Sequence, residues 1–194
     1  MTGRSTPAAM PARGFTLIEL MVTLSVLATL IMVAVPSFKA YQRSSELSTS
    51  ANAFVALLGR ARSEAMKRGL NAVVVPSDGS DWSQGWIAFI DKSVPADNLY
   101  DPATDELIAR SGDALPAQMS MTKNNAAAFL KYNGAGYTMT GAGLGNTTIE
   151  IARTDVSGSE VLAYTRRIKV NATGRVRVCT PRSAGDTNCG VSGL

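Results

Sequence analysis

The chain has 194 residues, 45% hydrophobic and 18% charged, with a formal net charge of +4; that is room for one folded core plus an appendage, and it excludes a disordered or collagen-like protein. No histidine occurs, so His-based triads, His-ligated zinc or haem and imidazole general-base catalysis are excluded. Charge is segregated: residues 78–113 carry a net −6, whereas residues 166–182 hold six bases and no acid.

In chain order, residues 1–14 form a leader containing Arg4 and Arg13 and no acid, and Phe15–Val35 is an almost unbroken apolar run. Twenty-one helical residues reach about 31 Å, near the ~30 Å hydrocarbon thickness of a bilayer, with the two arginines holding the leader on the cytoplasmic side. A secretory signal peptide fits badly. Glu19 lies inside the run, where a carboxylate costs about 2.5–3.5 kcal/mol near a helix centre. No small-x-small cleavage site follows, since Ala34, Val35, Pro36 and Ser37 match poorly. Gly14 instead stands directly before Phe15, so a cut on the cytoplasmic side leaves the helix on the mature chain.

Beyond Pro36, Leu47, Ala51, Phe54, Leu58, Ala61 and Ala65 recur at steps of four and three, one face of an amphipathic helix over 37–69. Arg60, Glu64 and Arg68 form an i+4 ladder on another face, and Gly69 is a stop. One helix is therefore expected from Phe15 to about Arg68, loosened near Pro36. Residues 70–194 read as a β-rich head. Strands are expected at Ala72–Val75, Trp86–Ile90, Gln118–Thr122, Ala128–Tyr132, Thr147–Ala152, Val161–Val170 and Gly174–Cys179, separated by an acidic connection over 91–116 and a glycine-rich one over 134–145. The class is α+β with an antiparallel sheet.

The last two strands flank Asn171-Ala172-Thr173-Gly174 and are expected to pair as a hairpin. Alternation places Arg175 with Arg177 on one side and Val176 with Val178 on the other, while Arg167 and Lys169 share a side. Such a hairpin can show several cations to solvent, either as a nucleic-acid contact or as a merely soluble face. Cys179 and Cys189, the only cysteines, read as a disulfide closing a surface loop, worth on the order of 3 kcal/mol in the loop-entropy account; two free thiols are the alternative. No catalytic residue, metal site or cofactor is expected. Gly141, Gly143 and Gly145 lack a phosphate-loop pattern, Trp82 and Trp86 read as core aromatics rather than a ligand pair, and Asp97, Asp101 and Asp105 read as a solvated acidic loop rather than a calcium site.

Gly14-Phe15-Thr16-Leu17-Ile18-Glu19, with Pro36 downstream, resembles the prepilin peptidase signature of type IV pilins and type II secretion pseudopilins. The resemblance implies cleavage after Gly14, methylation of the Phe15 amine, and pairing of Glu19 with a neighbouring subunit's amine in a filament. Ala61-Arg62-Ser63-Glu64-Ala65 followed by Trp82-Ser83-Gln84-Gly85-Trp86 is similar to the GspH/FimT family of minor pilins and pseudopilins. This implies a non-enzymatic subunit with a long helix packed on a β head. Its partners would be other pilins, the prepilin peptidase and the inner membrane, and the pilus would carry it through the periplasm to the cell surface. Gly174-Arg175-Val176-Arg177 looks like the GRxR motif of FimT-type minor pilins, implying double-stranded DNA as a further partner in natural transformation. A type II secretion pseudopilin without a nucleic-acid role, and an ectodomain on a single-span anchor, are the rival expectations.

Overall fold

The computed structural model describes residues 14–111, 113–124, 128–141 and 143–191; the leader, apart from Gly14, lies outside them. Two compact units divide at Gln42 and Arg43. The N-terminal unit is the apolar part of helix α1 (Leu17–Arg68), which holds Pro36 within its span. Its residues from Phe15 to Tyr41 are solvent-exposed, and α1 is long and apolar enough to cross a membrane. The segment satisfies its own polar groups. Thr23, Ser25 and Thr29 donate to the carbonyls of Leu20, Met21 and Val26 at 2.7–2.9 Å, and Ser37 to Ala34 at 2.9 Å, so no hydroxyl in the run needs water.

The head begins with the rest of α1. Leu47, Ala51, Phe54, Leu57, Leu58, Ala61 and Ala65 are its buried stripe, the expected face plus Leu57. Gly69 ends the helix at φ +67°, where its N–H and that of Leu70 both reach the Ala65 carbonyl. Among the described residues ten strands follow: β1 Ala72–Pro76, β2 Trp86–Ile90, β3 Glu106–Arg110, β4 Met119–Lys123, β5 Leu130–Tyr132, β6 Thr138–Thr140, β7 Gly143–Leu144, β8 Thr147–Arg153, β9 Thr165–Val170 and β10 Val176–Cys179. They form two antiparallel sheets, ordered β3-β2-β1-β5-β6-β7 and β10-β9-β8-β4.

Three strands lie where none was expected, and others begin later than read. β3 emerges inside the acidic connection and β6 and β7 inside the glycine-rich one, while β9 starts at Thr165 because Val161–Tyr164 is spent on a turn. One buried cluster joins the α1 stripe to Ala72, Val74, Ala88, Ile90, Leu130 and Tyr132 of the first sheet and Met121, Ile149, Ile151, Ile168 and Val170 of the second. Phe54 sits at its centre, edge-on to Trp82 at 6.1 Å and to Trp86 at 4.8 Å. The Trp86 indole N–H donates to the Trp82 carbonyl at 2.7 Å. Both tryptophans are therefore core residues, as read from the sequence. Val73, Ile87 and Phe89 form a second cluster on the opposite face of the first sheet, which is why β1 is apolar at every position rather than alternating.

β3 is tied to α1 by charge. Arg68 pairs with Glu64 at 2.8 Å and with Glu106, and Lys92 reaches Glu106 at 3.0 Å. The Arg68 guanidinium, then the Lys92 ammonium, hold the Glu106 carboxyl down to about 2. A depressed carboxylate contributes stability above its unfolded value near 4.5 and loses it as pH falls towards its folded value. The melting temperature of the native chain is therefore expected to exceed that of Glu106→Gln above pH 4.5, with the gap closing by about pH 2. Parallel pH–melting curves over that window would contradict the assignment.

Candidate filament and nucleic-acid interfaces

At the start of α1, Glu19 Oε2 accepts from the Thr16 backbone N–H at 3.0 Å and the Thr16 hydroxyl at 2.9 Å, while the Glu19 N–H donates to Thr16 Oγ1 at 3.3 Å. Thr16-Leu17-Ile18-Glu19 is thus a reciprocal capping box that satisfies otherwise orphaned backbone donors. The sequence reading singled out Glu19 and missed Thr16, although a Thr three residues before a Glu at the head of an apolar run carries that signal. Phe15 is 85% exposed, and a Cβ built on Gly14 would meet nothing.

In the head, β9 and β10 form the expected hairpin, with Val170 opposite Val176, Lys169 opposite Arg177, Ile168 opposite Val178 and Arg167 opposite Cys179. Asn171 builds the turn: its side-chain oxygen accepts from the Arg175 N–H at 2.9 Å and the Thr173 hydroxyl at 2.7 Å. Gly174, at φ +79°, is buried in a close approach in which an added Cβ would lie 2.1 Å from the Gly136 carbonyl oxygen. Arg62 of α1 locks this junction, donating to the Gly136 carbonyl at 3.0 Å and the Thr173 carbonyl at 2.9 Å. One guanidinium so joins the helix to a turn of each sheet.

Cys179 and Cys189 are bonded, and the bridge returns the following loop over the hairpin face that carries Arg167 and Lys169. The expectation that these two cations face solvent is corrected: Arg167 is 7% and Lys169 1% exposed. Arg167 is consumed by the Glu150 carboxylate at 2.6 Å and the Cys189 carbonyl at 2.6 Å. Burial, with Arg177 and Arg167 close by, pushes the Lys169 ammonium below the usual lysine range, partly offset by Asp186. Asp186 organises the loop, accepting from the backbone N–H groups of Arg182, Asn188 and Cys189 at 3.0–3.1 Å. Arg175 and Arg177 do remain exposed. Arg177 donates to the Asn188 carbonyl, and both arginines line a hollow of about 290 Å³ with Lys169, Asn171, Thr187 and Asn188. The geometry thus brings two of the four expected cations to the surface.

The acidic residues serve the backbone. Asp97 and Asp101 accept from the N–H groups of Leu99 and Ala103, and buried Asp105 from those of Lys92 and Asp101, all within 3.0 Å. Among the described residues no cluster of three or more His, Cys, Asp or Glu is arranged to hold a metal ion.

Residues 50–174 match the family model described as type II transport protein GspH. The chain belongs to the GspH family. Residues 10–35 of this GspH-family protein match a second model, the prokaryotic N-terminal methylation motif. In fold it is similar to the type IV minor pilin FimU of Pseudomonas aeruginosa, with 18% identity, 74% of this chain and 98% of that one covered, and a TM-score of 0.54. The minor pseudopilin EpsH of the Vibrio cholerae type 2 secretion system aligns at 14% identity over 71% of this chain and 99% of its own, with a TM-score of 0.47. No curated protein matches. A long N-terminal apolar helix and an antiparallel β head give this GspH-family protein the fold seen in the FimU structure. The family match ends at Gly174, so Arg175 and Arg177 stand immediately beyond it.

Proposed function

We propose that this GspH-family protein is a minor type IV pilin. It is inserted in the inner membrane as a prepilin, cut by the prepilin peptidase after Gly14 and methylated on Phe15. It then assembles with other pilins into a filament that crosses the periplasm to the cell surface. Its role is structural rather than catalytic. The observation that carries this reading is the exposed apolar run Phe15–Tyr41, whose only acid, Glu19, is engaged with the first turn of α1. An apolar surface of this length needs a membrane or neighbouring helices to cover it, and a carboxylate four residues from a new N-terminal amine can pair with that of a neighbour.

We further propose that the head contacts double-stranded DNA, without sequence preference, through Arg175 and Arg177. Guanidinium groups suit phosphate, and backbone contact carries no base readout. With Arg167 and Lys169 covered, the footprint is about two phosphates, so log K for the detergent-extracted mature protein is expected to fall with log salt at a slope of roughly −2. Arg175→Gln with Arg177→Gln should flatten the slope and weaken binding, as read by gel shift. Binding unchanged by that double substitution, or no binding at low salt, would remove the nucleic-acid role and leave the filament role standing.

The family description, type II transport, favours a second reading: a pseudopilin of a secretion filament. Deleting the gene and scoring piliation, transformation and protein secretion together separates the two, since a pseudopilin's loss would impair secretion alone.

A further inference from the structure

The outer face of the first sheet carries a cavity of about 500 Å³ that the filament and DNA readings leave unused. Its floor is Val75 of β1, Ile87 of β2 and Phe129 beside β5, and its far wall is Leu99, Tyr100 and Pro102 of the acidic connection. That wall is held in place. Buried Asp91 accepts from the N–H groups of Ser93 and Asn98 at 3.1 Å, buried Asp105 clamps the two ends of the loop through Lys92 and Asp101, and the Tyr100 ring packs at a tilt against Phe89, 5.2 Å between centroids. The segment from 91 to 105 is thus held over an apolar floor by its own aspartates and Tyr100.

Four polar groups make this more than a greasy groove. Ser77 Oγ and Asn98 Oδ1, both on residues lining the cavity, are buried without a hydrogen-bond partner, two of only four such side-chain atoms among the described residues. Buried acceptors left unmade are a standing cost that a ligand's N–H or O–H can relieve. Asn98 also sits at φ +60°, in the left-handed region that asparagine enters more readily than other side-chain-bearing residues. Arg110, at the end of β3, lines the same cavity, is exposed, and forms no ion pair among the described residues. Asp97 supplies a carboxylate to the same lining.

An apolar body flanked by one positive and one negative group, with two acceptors seeking donors, describes a small zwitterion. We propose that this cavity binds a free dipeptide with apolar side chains, its carboxylate at Arg110, its ammonium at Asp97, and its amide N–H directed to Asn98 Oδ1 or Ser77 Oγ. The volume suits a ligand of that size. The proposal does not depend on the filament or DNA readings.

The test is an NMR titration of the full-length protein in detergent with the dipeptide Leu-Phe, its C-terminal amide and its N-acetyl form. Saturable shifts confined to residues 75–79, 97–102 and 128–129 are expected at millimolar Leu-Phe. Each capped form should bind about tenfold more weakly, because each loses one charge-assisted contact. Arg110→Gln should bring Leu-Phe down to the level of the amide while leaving amide binding in place, a pattern that general unfolding cannot produce. Absence of saturable shifts up to ~10 mM Leu-Phe, or equal binding of all three probes, would overturn the proposal.

Discussion

Gly174→Ala is expected to destabilise the head by about 2–4 kcal/mol, lowering its melting temperature by roughly 5–15 °C. Two costs add. The residue sits at φ +79°, where an L side chain is strained, and the new Cβ would stand 2.1 Å from the Gly136 carbonyl oxygen and 2.8 Å from Arg62 Nε. The arginine could swing aside. The carbonyl belongs to backbone that is itself at positive φ against Met66, so it cannot yield without moving the turn. Thermal unfolding of native and variant chains in one detergent checks this, and a difference below about 0.5 kcal/mol would contradict it. Arg175→Gln with Arg177→Gln should leave the melting temperature in place. The glycine of Gly174-Arg175-Val176-Arg177 thus serves the fold, whereas its two arginines stand exposed at the surface.

Mass spectrometry of membrane-extracted protein is expected to find a chain that begins at Phe15 and carries one added methyl group. Substituting Gly14 should abolish that cut, and the reason lies outside the folded chain. A side chain at Gly14 meets nothing in the structure and the residue has no positive φ, so a demand for glycine there is a demand of the peptidase. Glu19→Ala should leave the protein in the membrane, since it removes a charge from an otherwise apolar spanning run. The same variant should all but disappear from sheared filaments, because its neighbour's amine is then buried without an opposite charge. A retained leader, or normal incorporation of the alanine variant, would sink the filament assignment.

The helix and its buried stripe were legible because six apolar residues at helical spacing leave few alternatives, and Trp86–Ile90 was read with its observed bounds. β3 was hidden because Glu106 opens it with a charge and it lies at a sheet edge, where one face stays wet and the apolar run never builds. β6 and β7 are three and two residues long, below the length at which alternation signals a strand. The hairpin formed as read, but the burial of Arg167 and Lys169 was missed for a different reason. Alternation correctly placed Arg167 with Lys169, but which face of a sheet is covered depends on chain that returns from elsewhere, here the loop closed by Cys179 and Cys189.

The six aspartates from Asp78 to Asp105 share one habit: each accepts backbone N–H groups of nearby residues. The acidity of this stretch is therefore a by-product of turn-making, with carboxylate oxygens standing where regular secondary structure would have supplied carbonyls. An asparagine keeps the acceptor and discards the charge. The surface potential of the head can accordingly drift towards neutrality at exposed Asp78, Asp81 and Asp101 while the loops keep their shape, leaving evolution free to retune what the head repels without redesigning its turns.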